Sequence, residues 1–279
     1  MALFDNFRNE NGEMSFLGHL DALRWHLFRS AMVIIGFAFT GFFFKDFLFN
    51  VVLFGPKQPT FPTFRFMCWL SHRLNMGDSL CVKNIDFKII NTDLSGQFTT
   101  HMMVAFIAGF ILSLPYILWE LWTFIKPALY EKERKYAKGI VFYTTSLFLI
   151  GILFGYYVIV PLSVNFLANY QVSESVGNFI SLDSYIGTIS TVTLVSGAIF
   201  ELPMVIYFLS KIGLVTPTFM RKYRRHAVIV ILIVSAIITP TSDATTLMLV
   251  SIPLYILYEI SIFVSAFVVR NKQADALKS

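Results

Sequence analysis

Long apolar runs, separated by shorter polar segments, dominate the pattern of this chain and predict membrane-spanning helices. About 20 mainly apolar residues suffice to cross a bilayer. Six runs are long or apolar enough to be considered: Leu27–Phe49, Phe98–Leu121, Gly139–Phe166, Tyr185–Ile212, His226–Thr239 and Leu247–Phe267. The fifth is short and would cross only thin or locally thinned bilayer. The pattern therefore predicts an all-α polytopic membrane protein with six transmembrane helices, the last two of them short.

Basic residues are distributed unevenly between the two faces that six spans create. One face would hold 16 of the 22 lysines and arginines, and the other face would hold 6. Cytoplasmic loops carry the excess of basic residues, so both termini are predicted to be cytoplasmic, with residues 269–279 as a cytoplasmic tail. The minority residues all lie in or beside the first external segment: Lys45, Lys57, Arg65, Arg73, Lys83 and Lys88.

Composition agrees with a membrane protein. The 279 residues are 56% hydrophobic and only 14% charged, whereas a soluble domain is about 25% charged. The net charge of +5 does not indicate nucleic-acid binding, because the positive residues fall between apolar runs and report topology instead. We expect one membrane domain spanning residues 1–279, in contact with the lipid bilayer, and no nucleic-acid partner.

The segment 51–97, between the first two spans, is too long for a simple turn. Prolines interrupt it, and Val82–Ile90 alternates in the manner of a short strand, so we expect an extended periplasmic cap. It contains both cysteines, Cys68 and Cys81, which allow one disulfide if the segment faces an oxidising compartment. Neither cysteine has other metal ligands at a zinc-like spacing, so no metal site is predicted.

Glu201 stands alone in the fourth apolar run, which makes it the first candidate for a functional residue. A carboxylate near the middle of a span costs about 2.5–3.5 kcal/mol on insertion scales, and such groups usually have a function. Pro203 follows two residues later and removes a backbone donor, which predicts a kink. A charge beside a kink suggests a site that faces inward or faces a partner. The alternative is a packing residue that is protonated or paired within the protein.

Three further clusters could carry chemistry. Glu131 and Glu133 follow directly on an aromatic and apolar stretch that begins at Phe124, which could hold a peptide with a basic head and an apolar tail. The alternative is a solvated helix start. Residues 15–26 have the spacing of an amphipathic helix at the cytoplasmic interface, with Asp21 and Arg24 three residues apart. In the last external connection, Asp243 could simply accept backbone hydrogen bonds.

The sequence carries no catalytic signature. It lacks the His-Glu-x-x-His motif, a phosphate-binding glycine loop and a Gly-x-Ser-x-Gly turn, and its five histidines are scattered. We therefore expect a protein that is not an enzyme and needs no cofactor.

Taken together, these segments resemble the TatC family, the receptor subunits of the twin-arginine protein translocase. Any one segment is weak support, but five in the family's order, covering about residues 16–268, are highly specific. They are His19–Arg24, Phe124–Arg134, Phe200–Pro203, Ile238–Pro240 and Ile252–Glu259. The six-span topology deduced from the basic residues agrees with this family.

The resemblance implies a concave, glove-like bundle in a bacterial-type cytoplasmic membrane. The family binds the twin-arginine signal peptides of folded cargo and recruits small single-span subunits of the TatA and TatB type for export driven by the proton gradient. It also implies a homo-oligomer within the receptor complex.

The resemblance also implies site residues. In this sequence, the residues that match the signal-peptide site or lie beside it are Glu133, Asp21, Arg24, Phe124, Pro127, Leu129 and Arg134. Those that match the site for a partner helix are Glu201, Phe200 and Pro203. Pro56 matches the proline just beyond the first span, and Asp243 approximates the acidic residue of the last external loop.

One position departs from the family pattern. The family usually has an acidic residue two places before the arginine that corresponds to Arg24, whereas this chain has Ala22 there and Asp21 one place earlier. A shift of one residue turns a side chain by about 100° around a helix, so Asp21 is an imperfect substitute. A rival hypothesis is a proton-coupled secondary transporter that uses Glu201, although the sequence shows no internal repeat of the kind common in such transporters.

Overall fold

The computed structural model describes residues 16–75, 77–78, 81, 87–125, 137–171, 173, 177–240 and 243–276. The α-helices are α1 Phe16–Phe43, α2 Pro62–Arg73, α3 Gly96–Ile125, α4 Ala137–Phe154, α5 Val160–Asn169, α6 Leu182–Phe200, α7 Leu202–Ile212, α8 Pro217–Lys222, α9 Arg224–Ile238 and α10 Ala244–Ala276. Two π-helices, Phe47–Leu53 and Gly155–Ile159, and a 3-10 helix, Gly55–Lys57, complete the helical segments. The strands are β1 Lys88–Ile90 and β2 Phe179–Ser181.

The fold is helical and polytopic, as the sequence predicted. Five segments of the described chain are long and apolar enough to cross a membrane: Leu20–Phe43, Gly96–Phe124, Gly139–Asn169, Leu182–Ile212 and Thr246–Asn271. The helix α9 has 15 residues and is therefore about 22 Å long, which is shorter than a hydrocarbon core of about 30 Å. A sixth span through α9 stays a prediction.

Two boundaries differ from those expected. The last helix was expected to be short, and this was wrong, because α10 has 33 residues. Pro253 lies inside it, and the helix continues beyond the apolar run into the polar residues after Val269. Residues 16–26 form the first part of α1, which is continuous from Phe16 to Phe43, so no break separates them from the first span.

The described residues form two compact units, one within residues 1–45 and 101–145 and the other within 46–100 and 146–279. In the first unit, α1 packs antiparallel to α3. A Cβ atom on Gly109 would lie 2.8 Å from the Cα atom of Ala38, so only glycine permits this approach. Towards the end of α1, His101 stacks on Phe42 at 4.2 Å, and its Nε2 lies 3.1 Å from the Phe42 carbonyl oxygen.

The second unit is centred on a close crossing of α4 and α6. A Cβ atom on Gly151 would lie 2.7 Å from the carbonyl oxygen of Ser196 and 2.8 Å from the Cα atom of Gly197. One turn later, a Cβ atom on Gly155 would lie 2.9 Å from the Ser196 side chain. Small residues let helix backbones approach closely where lipid supplies no hydrophobic drive between helices. The crossing therefore depends on this glycine-rich seam.

Hydroxyl groups join the last long helices of the second unit. Ser210 Oγ of α7 donates to Ser265 Oγ of α10 at 2.8 Å, and both residues are buried. Nearer the start of α10, Ser251 Oγ donates to Ser235 Oγ of α9 at 3.0 Å. Interhelical hydrogen bonds of this kind contribute about 0.6 kcal/mol each on average in a membrane protein. They fix which faces of α7 and α9 meet α10.

The segment 51–97 is anchored to the helices of the same unit. The hydroxyl of Tyr156 donates to the Val52 carbonyl at 2.6 Å, and that of Tyr185 donates to the Leu53 carbonyl at 3.0 Å. These bonds satisfy carbonyl groups at the end of the π-helix, which would otherwise lack partners. The parallel strands β1 and β2 pair in the register Lys88 with Phe179. The predicted strand is present over Lys88–Ile90, and residues 82–86 lie outside the described chain.

We predict that Gly151→Ala destabilises the second unit. The new methyl group would meet backbone atoms of α6, and overpacking of this kind costs about 1–3 kcal/mol. The free energy of unfolding, measured in mixed micelles, should fall accordingly. Gly187→Ala is the matched control, since nothing lies within 4 Å of its Cβ position in α6. Equal effects of the two substitutions would contradict the conclusion that the crossing of α4 and α6 requires glycine at position 151.

Candidate functional site

Three glutamates lie within the candidate spans, and their surroundings differ. Glu120 is in α3, Glu201 lies between α6 and α7, and Glu259 is in α10. Glu259 pairs with Arg224, whose Nη2 lies 2.8 Å from Oε2, and accepts a hydrogen bond from Tyr255 at 3.2 Å. This pair is partly exposed and joins α9 to α10, so it has an evident structural role.

The helix breaks at Glu201, as Pro203 predicted. The backbone of Glu201 has φ −75° and ψ −5°, and its N–H donates to the Ala198 carbonyl at 3.2 Å instead of one residue farther back. Proline cannot donate the hydrogen bond that a continuous helix would need at position 203. The chain resumes as α7 when the N–H groups of Met204 and Val205 donate to the Glu201 carbonyl.

The side chain of Glu201 is incompletely satisfied. Its Oε1 atom is buried and has no hydrogen-bond partner among the described residues. The carboxyl group lies close to the backbone of Phe148 in α4. The residue as a whole is half-buried. A buried oxygen without a partner costs about 1–3 kcal/mol, more if charged, which calls for a compensating interaction.

The neighbours of Glu201 point into the protein. Phe200 is 7% exposed, and its ring lies 5.4 Å from that of Phe154. Pro203 is buried as well. Of the three residues predicted to form a site for a partner helix, only Glu201 is therefore partly accessible. The other two hold the break in place.

Glu120 has the opposite character, because its carboxylate is fully engaged. It is 6% exposed and accepts a hydrogen bond from the Tyr116 hydroxyl at 2.6 Å. His26 Nδ1 of α1 is paired with Oε2. The guanidinium of Arg29 lies 4.0 Å from Oε1. This cluster joins the beginning of α1 to the end of α3 within the first unit.

The cluster also touches a predicted binding residue. The ring of His26 lies 6.0 Å from the ring of Phe124 in an edge-on arrangement. Phe124 is half-buried, whereas Asp21 and Arg24 are exposed. Ala22, which occupies the family's acidic position, is 8% exposed and thus lies on a different face of α1 from Asp21. That Asp21 replaces the acidic residue implied by the resemblance stays a prediction.

Other predicted residues have simpler outcomes. Glu133, Pro127, Leu129 and Arg134 lie outside the described residues. Pro56 is fully buried in the 3-10 helix after the first span. Asp243 accepts a hydrogen bond from the Thr246 N–H at 2.7 Å, which caps the start of α10.

The sequence reading did not single out Glu120. The signal was available, because this carboxylate stands in the apolar stretch Tyr116–Phe124 just as Glu201 stands in the fourth run. What the sequence could not supply was the partner, since His26 is 94 residues away along the chain.

Comparison with known proteins extends these observations. The family model for the Sec-independent protein translocase protein TatC matches residues 18–253. A TatC protein of Blattabacterium sp. subsp. Periplaneta americana is 39% identical over 268 residues, covering 95% of this chain and 100% of that protein. The TatCy protein of Bacillus subtilis is 32% identical, covering 96% and 95% respectively.

Solved structures give the same result. A crystal structure described as the twin arginine translocase receptor TatC matches with a TM-score of 0.64 and 27% sequence identity, covering 90% of this chain and 99% of that chain. A second crystal structure of TatC, in the detergent DDM, has a TM-score of 0.66 and 28% identity.

The helical spans and these similarities define a multi-pass membrane protein of the protein-transport class. The chain belongs to the TatC family of Sec-independent protein translocase proteins.

We predict that His26 and Glu120 are strongly coupled. A double-mutant cycle with His26→Ala and Glu120→Ala should give about 1.5–3 kcal/mol, because a hydrogen bond to a charged group is lost in a buried setting. The free energies of unfolding in micelles supply the cycle. The Arg224–Glu259 pair serves as the comparison and should give no more than about 1 kcal/mol, since it is more exposed. Equal coupling energies would show that burial does not strengthen the first pair.

Proposed function

We propose that this chain is the receptor and core subunit of a twin-arginine translocase. It binds the signal peptides of folded cargo proteins and recruits small single-span subunits of the TatA and TatB type, and the proton gradient drives export. The observation that carries the proposal is the unpartnered Oε1 of Glu201, at a helix break inside a span of a chain from this family. A related crystal structure is described as the receptor of this translocase.

Signal-peptide binding is assigned to the segment that begins at Phe124. The proposed receptor holds the arginine pair with Glu133, because a carboxylate binds a guanidinium through two parallel hydrogen bonds. Phe124, Pro127 and Leu129 supply apolar contacts for the rest of the peptide. Arg134 follows Glu133 directly in the sequence, and Asp21 and Arg24 belong to the separate segment His19–Arg24, which the resemblance also assigns to this site. The exposure of Asp21 and Arg24 leaves both accessible to a ligand.

Partner recruitment is assigned to Glu201. A single-span helix that carries a hydroxyl or amide group could donate a hydrogen bond to the Glu201 carboxyl group, once rotation of the side chain brings the buried, unpartnered Oε1 atom to the surface. Few waters compete for such a bond inside the membrane, and its contribution is about 0.6 kcal/mol on average in a membrane protein and about 1–2 kcal/mol in model peptides. Phe200 and Pro203 contribute indirectly. The ring of Phe200 packs against Phe154, and Pro203 causes the helix break at which Glu201 lies.

The proposed topology places both termini in the cytoplasm of a bacterial cell, with six spans in the cytoplasmic membrane. This follows the excess of basic residues on one face. It requires α9 to cross as the fifth span despite its 15 residues, which a thinned bilayer would allow. Several copies of the chain would assemble in the receptor complex.

We expect Glu133→Ala to weaken the binding of a twin-arginine signal peptide by about tenfold or more, as loss of a charged hydrogen bond costs about 1.5–3 kcal/mol. The measurement is fluorescence anisotropy of a labelled peptide with the protein in nanodiscs. Peptides with Arg-Arg and Lys-Lys should differ for the wild type and not for the variant. Glu131→Ala tests whether the neighbouring carboxylate of the same segment shares this role. If both glutamate variants bind like the wild type, Glu133 is only a solvated charge.

We expect Glu201→Ala to spare signal-peptide binding and to weaken the association with a single-span subunit. Pull-down of that subunit from mixed nanodiscs, together with the anisotropy assay, measures both properties on one preparation. Glu201→Gln tests the chemistry, because an amide keeps an acceptor oxygen and should retain part of the association. Equal loss of both kinds of binding would contradict the proposed separation of the two sites.

A further inference from the structure

The two cysteines close a small structure made by α2 and the turn that follows it. Cys68 and His72 are four residues apart in α2, so they lie on the same face of the helix. The chain then reverses, and Cys81 returns to form a disulfide with Cys68. His72 is not among the residues that the sequence singled out, because it is a possible metal ligand only once Cys81 lies beside α2.

Several contacts fix the turn. Ser71, which is fully buried, donates from Oγ to the Gly77 carbonyl at 2.6 Å. Asn75 and Gly77 adopt left-handed backbone conformations with φ 56° and 62°, which let the chain reverse within a few residues. The N–H of Cys81 donates to the Asp78 carbonyl at 3.0 Å. The position of Cys81 beside α2 therefore depends on more than the disulfide.

This arrangement gathers three potential metal ligands. One ligand atom from each of Cys68, His72 and Cys81 lies within 4.8 Å of the others. His72 Nε2 is 3.8 Å from Cys81 Sγ and 3.5 Å from Asp78 Oδ1. In a tetrahedral zinc site with Zn–S of about 2.3 Å and Zn–N of about 2.0–2.1 Å, the ligand atoms are separated by about 3.4–3.8 Å. The histidine already lies at this distance from one sulfur and one carboxylate.

We propose that, when the disulfide is reduced, α2 and the turn that follows it form a zinc site with Cys68, His72 and Cys81 as ligands. The two sulfurs need to separate from bonding distance to about 3.8 Å, which reduction permits. The Asp78 carboxylate is within reach of the fourth position. The side chains of His72 and Asp78 are 59% and 55% exposed, so a metal ion can enter from solvent.

The change between the two forms is a thiol–disulfide exchange with a dithiol reductant. One thiolate of the reductant attacks a cysteine sulfur, the Cys68–Cys81 bond breaks, and a mixed disulfide forms. The second thiol of the reductant then attacks the mixed disulfide and releases the protein cysteine that was bound in it. The reductant leaves as its own disulfide, and the protein gains two electrons and two protons. Zinc binding to the thiolates releases both protons.

The disulfide and the zinc site are mutually exclusive, because they use the same two sulfur atoms. Oxidation therefore expels the metal, and a bound metal protects the thiols from oxidation. Cys81 is therefore linked to α2 in both forms, by the disulfide in the oxidised protein and by the metal ion in the reduced protein.

The test uses the full chain in nanodiscs and Co²⁺ as a spectroscopic probe for Zn²⁺. The reduced wild type should bind one Co²⁺ with thiolate-to-cobalt charge transfer and the visible bands of tetrahedral coordination, and added Zn²⁺ should displace it. The oxidised protein should show neither signal. A reduced protein without the charge-transfer band would overturn the proposal, as would equal binding by the oxidised protein.

Substitution of His72 distinguishes a site with three protein ligands from metal binding by the two cysteines alone. Loss of an outer partner of a metal ligand costs about 10–100-fold in affinity, so His72→Ala should weaken Co²⁺ binding by more than about 100-fold. The variant's ability to form the Cys68–Cys81 disulfide in air reports its folding. His226→Ala, at another exposed histidine, should bind like the wild type. Unchanged affinity in His72→Ala would overturn the assignment of His72.

A measurement on the wild type alone covers the case in which the variant does not fold. Zinc should protect Cys68 and Cys81 of the reduced protein from alkylation, as counted by mass spectrometry. Alkylation at the same rate with and without zinc would contradict the proposed site.

Discussion

The crossing of α4 and α6 at Gly151 and Gly197 is the constraint on which the second unit depends. Lipid solvates apolar side chains as well as a protein interior does, so helices in a membrane associate through close packing and hydrogen bonds. Here the backbone of α4 approaches the Ser196 carbonyl so closely that no side chain fits between them. Glu201 follows Gly197 by about one turn. The glycine-rich seam therefore determines the position along α4 that the Glu201 carboxyl group lies against, which is close to the backbone of Phe148.

Glu120 and Glu201 differ in whether the protein itself provides partners for their carboxyl groups. Inserting either side chain into a span is costly, and the cost must be offset. For Glu120 this cost is offset within the protein, by contacts with Tyr116, His26 and Arg29. Glu201 retains a buried oxygen for which the described residues offer no donor. An interaction that is missing inside the protein is a reason to expect one outside it, and a membrane offers other helices and few waters for this purpose.

The sequence predicted the features that depend on local chemistry. Apolar length located five spans, and Pro203 predicted the break at Glu201, because a missing backbone donor acts wherever it occurs. The sequence failed where the outcome depends on contacts between distant segments. The length of α10 could not be read from apolar residues alone, since the helix continues into polar residues. The partner of Glu120 and the position of His72 beside Cys81 both require a fold that brings separate segments together.

The departure at Ala22 has a physical consequence for arginine recognition. Ala22, His26 and Arg29 follow one another at spacings of four and three residues, so they share one stripe of α1. The carboxylate that meets this stripe comes from α3, as Glu120, and not from α1 itself. Its oxygens are already engaged and it is 6% exposed, so a guanidinium of a ligand would have to displace existing partners. Under the proposed function, arginine recognition must therefore rest on carboxylates outside this cluster, such as Glu133 and the exposed Asp21.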